Sequence, residues 1–143
     1  LRRVGRLSSE RAIEIARQLC VGLSAIHNAG ILHRDFKPAN VIIDSKGKAR
    51  ITDFGIAGVE AEINKDNLRV GTPAYMSPEQ TRGQKADNRS DLWSLGVVIF
   101  EMLAGKTPFK GQTVPDTLVA ILDRPPARLE NVSPELERII LKL

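Results

Sequence analysis

Two short stretches hold the side chains best suited to chemistry: "HRDFKPAN" at residues 33–40 and "DFG" at 53–55. The first places Arg34, Asp35, Lys37 and Asn40 between two apolar runs, "GIL" and "VIID". A solvated loop accommodates such charges without any function. The two stretches, however, flank a predicted hairpin, one leading into it and the other leaving it. That arrangement draws Asp35, Asn40 and Asp53 together across eighteen positions of sequence. Two carboxylates and an amide oxygen are hard ligands, suited to Mg²⁺ and poor for zinc.

The elements that must position these groups are legible from periodicity and caps. From Ser9, apolar Ile13, Ala16, Cys20, Leu23 and Ile26 recur at helical spacing, with Ser8 to cap the start, Glu10 in the first turn and Gly30 to close the end. "VIID", the "SKGK" turn and "ARIT" predict two short strands in a tight hairpin. Residues 56–89 are polar and irregular, with too little periodicity for a core element. Leu92 to Ala104 is apolar nearly all round, which predicts a central buried helix ended by "GKTPF". Further helices are expected near Pro115 to Leu122 and from Ser133, where "SPE" supplies a cap, a first-turn proline and an acid.

Composition bounds the function classes. With 143 residues, 42% hydrophobic and 27% charged, the chain is at most one domain and can bury a real core. The net charge of +4 comes from 21 basic against 17 acidic residues, a mild excess that gives little support to nucleic-acid binding. No helix-turn-helix pattern with basic recognition residues is present. The single cysteine, Cys20, excludes an internal disulfide and fits a reducing compartment, and its place on the helix predicts a packed thiol. No segment has the ~18 to 20 apolar residues of a bilayer span; "LWSLGVVIFEMLAG" is short and carries Glu101. The chain begins without Met and stops in a helical pattern, so it reads as a piece of a longer protein, a partial domain over 1–143 cut at both ends.

With "HRDFKPAN" and "DFG" come "GTPAYMSPEQ" at 71–80 and "SDLWSLG" at 90–96, and these four in order resemble the C-terminal lobe of a eukaryotic-type (Hanks-type) serine/threonine protein kinase, in a form similar to bacterial members. The resemblance covers essentially the whole chain. It implies a protein-kinase-like α+β fold, here the mainly helical C-terminal lobe with a small β-hairpin and without the N-terminal lobe. It implies ATP and Mg²⁺ as cofactors, protein substrates bearing Ser or Thr, and a cytoplasmic location, with a membrane tether on the parent left open. The alternative is a catalytically silent, pseudokinase-like or truncated binding module.

The same resemblance assigns roles. Asp35 matches the aspartate that takes the substrate hydroxyl's proton, and Lys37 the lysine that reaches the transferring phosphate. Asn40 and Asp53 match the magnesium ligands. Gly55 frees the backbone after Asp53, and Phe54 is a packing residue whose position reports active or inactive states. His33 is structural. Asp91 matches the aspartate that holds the catalytic-loop backbone from beneath, and Thr72 the threonine that ties the peptide-binding segment to Asp35 and Lys37. Lys37, two residues after Asp35, goes with Ser/Thr specificity.

Departures from the family pattern matter as well. Nothing before residue 33 supplies a glycine-rich loop or a "VAIK"-like strand lysine. "SPE" stands for "APE", and the arginine that Glu79 pairs with in the family has no counterpart here, so Glu79 is expected to be solvated or misplaced. Finally, Arg34 marks kinases whose activation segment is ordered by a phosphorylated residue, yet residues 56–71, "IAGVEAEINKDNLRVG", contain no Ser, Thr or Tyr. Asp66 is the acid expected to pair with Arg34 in place of a phosphate.

Overall fold

A computed structural model describes residues 5–54 and 73–143. The described chain runs α1 (Ser9–Asn28), β1 (Val41–Ile43), β2 (Ala49–Ile51), α2 (Pro78–Thr81), α3 (Asn88–Ala104), α4 (Val114–Asp123) and α5 (Pro134–Ile140). Tight single turns at Pro38–Asn40 and Pro73–Tyr75 complete it.

Helix α1 starts where its cap dictates. Ser8 is extended, and its side chain accepts from the Arg11 N–H. The helix ends at Ala29, and Gly30 follows with φ +73°, a left-handed conformation in which a side chain would be strained. The buried stripe is Ala12, Ile15, Leu19, Leu23 and Ile26. This corrects the expected stripe: Ile13 and Cys20 are exposed and Ala16 is only partly buried. Ile13 and Cys20 lie one position round from Ala12 and Leu19, about 100° of helix rotation, and α3 packs against the other set.

Helix α3 is the centre of the molecule. Eleven of its seventeen residues are buried, including Leu95, Val98, Ile99, Phe100, Met102 and Leu103. These join the α1 stripe, Phe36, Val41, Leu129 and Ile140 in one core. Each such Leu, Ile or Phe contributes about 1.5–3 kcal/mol by burial. The helix begins at Asn88, four residues earlier than its apolar run suggests, because Asp87 and Ser90 form a reciprocal capping box. Gly105, at φ +73°, ends it. A smaller cluster of Phe109, Ala120 and Ile121 lies under Trp93, which stacks on Phe109 with 5.5 Å between ring centroids.

The hairpin pairs Val41 with Ile51, Ile42 with Arg50 and Ile43 with Ala49. It lies on α1 so closely that a Cβ at Gly22 would come within 2.9 Å of the Ile51 side chain. A second correction concerns the polar stretch before residue 89. Its described part contains the Pro73–Tyr75 turn and α2, with Ala74 and Ser77 buried. Four-residue helices carry too few turns to show a period, so only the "SPEQ" capping pattern marks this one.

Candidate active site

The hairpin register sets the site. Extending the ladder one residue beyond Val41 and Ile51 places residue 40 opposite residue 52, and Thr52 N–H donates to the Asn40 carbonyl at 2.9 Å. Asp53 is therefore the residue after Asn40's partner, at the same edge. Asn40 is 7% exposed, and its Nδ2 donates to the Asp35 carbonyl at 2.9 Å. That bond uses a donor of the amide and leaves Asn40 Oδ1 as its acceptor. Lys37 Nζ donates to Asp35 Oδ2 at 2.5 Å. Both side chains of that pair are partly exposed, so it contributes at most about 1 kcal/mol to stability. Its consequence is geometric: a cation and a carboxylate are held side by side at the mouth of the loop.

Beneath this open face lies a layer of buried polar groups. Asp91, in the first turn of α3, is 1% exposed and receives three donors. The His33 N–H reaches Oδ2 at 2.9 Å, the Arg34 N–H reaches Oδ1 at 2.8 Å, and His27 Nε2 lies 2.7 Å from Oδ2. A carboxylate only accepts, so His27 carries its proton on Nε2. A charge this deep is tolerable only because its oxygens are so fully engaged. His33 is completely buried, edge-on to Phe36, and its Nε2 donates to the Thr52 carbonyl at 3.1 Å. That contact joins the start of the loop to the residue between the end of β2 and Asp53, and with His33 completely buried it leaves no route for His33 to reach a substrate.

Two residues at this site have left-handed backbone without being glycine: Arg34 at φ +66° and Asp53 at φ +59°. Each such conformation costs about 1–3 kcal/mol and persists only where neighbours hold it. At Arg34 the neighbours are Asp91 on the N–H side and Gln80, whose Nε2 donates to the Arg34 carbonyl at 2.8 Å. Asp53 is followed by Phe54, and this corrects the expectation of a packed ring there, because Phe54 is 45% exposed. Asp53 itself is exposed, with Oδ2 accepting from the Thr52 hydroxyl at 3.3 Å.

Glu79 is also corrected. It is half-buried and accepts from the Ser90 hydroxyl, so it is neither freely solvated nor misplaced. Desolvation pushes its carboxyl up, but hydrogen bonds from Ser90, its own backbone and Ser77 together outweigh that and leave it below the ordinary 4.5. Gly55, Asp66 and Thr72 lie outside the described residues. Sequence reasoning missed His27, Thr52, Gln80 and Ser90. Only Gln80 carried a signal, as the last residue of a Ser-x-x-Gln capping pattern.

The donor set of Asn40 and Asp53 fits Mg²⁺, a hard cation that takes one or two carboxylates and fills its remaining positions with water and phosphate oxygens. Among the described residues no group of three or more His, Cys, Asp or Glu gathers into a metal cage, as zinc would require. No described helix is long and apolar enough to cross a membrane.

A mainly helical lobe with a charged loop braced between its hairpin and its central helix defines the C-terminal lobe of a protein kinase. The chain belongs to the protein kinase domain family, whose model matches residues 1–143. It is 41% identical over 143 residues to the serine/threonine-protein kinase drp72 of Corynebacterium efficiens, covering 98% of this chain and 28% of that protein. It is 39% identical to PknA of Corynebacterium glutamicum, covering 98% of this chain and 30% of that one. To PknB of Mycolicibacterium smegmatis it is 40% identical over 150 residues, covering 96% of this chain and 23% of that protein. The chain thus spans less than a third of the length of these relatives.

Proposed function

We propose that the parent of this chain transfers the γ-phosphoryl group of ATP to Ser and Thr hydroxyls of proteins, and that these residues form its catalytic lobe. The observation that carries the reading is the Asp35–Lys37 pair at 2.5 Å, with the Asp35 carbonyl tied by Asn40. Phosphoryl transfer needs positioning and charge neutralisation more than covalent chemistry, and this loop offers both. Asp35 accepts a hydrogen bond from the incoming hydroxyl and takes its proton as the O–P bond forms. The bond from the γ-phosphorus to the bridging oxygen breaks, and ADP leaves with the electron pair. Lys37 offsets negative charge on the group in transit. Asn40 Oδ1 and the Asp53 carboxylate would hold Mg²⁺, which when bound neutralises the phosphate oxygens. The glycine-rich loop and strand lysine come from an N-terminal lobe of the parent.

The test uses the full parent chain with radiolabelled ATP, Mg²⁺ and matched Ser, Thr and Tyr peptides. Label on the Ser and Thr peptides, absent with Tyr and lost on Asp53→Ala, supports the reading. ATP binding without transfer to any peptide overturns it in favour of a binding module.

A further inference from the structure

Arg34 and Asp35 share a peptide unit: the Arg34 carbonyl and the Asp35 N–H lie in one rigid plane. The direction in which Asp35 leaves the backbone therefore depends on what fixes that plane. From below, Asp91 holds the preceding N–H groups of His33 and Arg34. The Arg34 carbonyl is held from a different element. Gln80, in α2, donates to it from Nε2 at 2.8 Å across forty-six positions of sequence.

The other end of the same amide is engaged too. Gln80 Oε1 accepts from the Ser77 N–H at 3.0 Å and from the Ser77 hydroxyl at 3.2 Å, while the Ser77 hydroxyl receives the Gln80 N–H in return. Ser77 is fully buried, so this cap is a fixed point. The partners also dictate the amide's orientation, since a backbone N–H can only donate and a carbonyl can only accept. One side chain thus caps α2 with its oxygen and grips the catalytic loop with its nitrogen. The gripped residue is the one at φ +66°, where the backbone does not rest unaided.

We infer that Gln80 is a positioning residue for catalysis, locking the Arg34–Asp35 peptide to the segment from Pro73 to Thr81 so that Asp35 points at the substrate hydroxyl. This rests on the phosphotransfer reading above. Gln80 itself touches no reacting atom. Its contribution should appear in turnover and not in nucleotide affinity, because the nucleotide's phosphates and metal meet Asn40, Asp53 and Lys37 and not the Arg34 carbonyl.

Two substitutions separate the two ends of the amide. Gln80→Glu keeps an oxygen for the Ser77 N–H, so the cap of α2 survives, but it replaces the donor to Arg34 with a second acceptor facing a carbonyl. Gln80→Met removes both ends at similar volume. In the full-length parent, Gln80→Glu should lower kcat about tenfold or more, since small misplacements of a reacting group are costly. The KM for ATP should stay within about twofold, and the melting temperature should be nearly that of the wild type. Amide exchange over residues 33–37 should quicken, while exchange across 78–84 stays protected in Gln80→Glu and quickens in Gln80→Met.

Unchanged kcat in Gln80→Glu, or a fall in kcat with exchange over 33–37 unaltered, would overturn the inference. Asp35→Asn run alongside distinguishes the two levels. If Asp35→Asn is also silent, the phosphotransfer reading has failed; if Asp35→Asn is inactive and Gln80→Glu is not, only the role of Gln80 has.

Discussion

The loop at residues 33–40 has two sides with opposite character. Its underside is buried and densely bonded: Asp91 receives His27, His33 and Arg34, and His33 reaches across to the Thr52 carbonyl, while His33 Nδ1 alone among these groups is buried without a partner. Its upper side is open: Lys37 and Asp35 are partly exposed, and Asp53 and Phe54 are exposed. The same residue type therefore does different work on the two sides. Asp91 organises backbone with both oxygens engaged, whereas Asp35 keeps an accessible carboxylate whose close side-chain partner among the described residues is a lysine. Burial with dense hydrogen bonding suits a foundation; partial exposure with an opposite charge beside it suits the reacting role proposed for Asp35.

The largest effect should come from the foundation. Asp91→Ala strands three donors in a dry site and should cost about 3 kcal/mol or more, read as a lower melting temperature of the parent with loss of activity following from unfolding. On the open face, Asp53→Ala should leave the melting temperature nearly unchanged while weakening Mg²⁺-dependent ATP binding about tenfold or more, measured by calorimetry. Equal destabilisation by the two substitutions would erase the contrast between the sides.

Glu79 sharpens it at an intermediate depth. Its carboxyl sits below 4.5 in the folded protein, although burial opposes this, because Ser90 and neighbouring donors favour the charged form. A depressed carboxylate contributes stability that is fully present above the unfolded pKa and is lost as pH falls through the lower, folded value. Unfolding midpoints should therefore fall as pH drops below about 4.5. Glu79→Gln should cost about 1 kcal/mol at pH 7 and flatten that acid slope. The smallest effect belongs to Cys20. It is at the surface, yet desolvation along its helix face pushes its thiol above the ordinary 9.0. Cys20→Ser should change stability by less than about 0.5 kcal/mol, and alkylation at pH 7 should be slow.

Much of this was legible in the sequence because it is local. Ser8 and Gly30 bracket α1, "SPE" opens α5, and "VIID" with "ARIT" forms the hairpin. The linear motifs likewise point to the loop that holds Asp35, Lys37 and Asn40. What escaped depends on distant partners. The α1 sequence carries apolar residues on two adjacent stripes, and only contact with α3 and the hairpin selects Ala12, Ile15 and Leu19 over Ile13 and Cys20. His27 meets Asp91 across sixty-four positions, and Gln80 meets Arg34 across forty-six. No local pattern announces such pairs. Phe54 was assigned to packing by the family resemblance, and no local pattern signals that it follows a left-handed residue and is exposed.

The proposed division is between groups that hold and groups that react, and Asp35→Asn in the full-length parent tests it most directly. The substitution keeps the side chain's shape and removes its negative charge and its capacity to take a proton. Turnover and melting temperature should be measured on the same preparation. The expected result is a fall in kcat of about a hundredfold or more, with the melting temperature within about two degrees of the wild type. Undiminished turnover in Asp35→Asn would contradict the account.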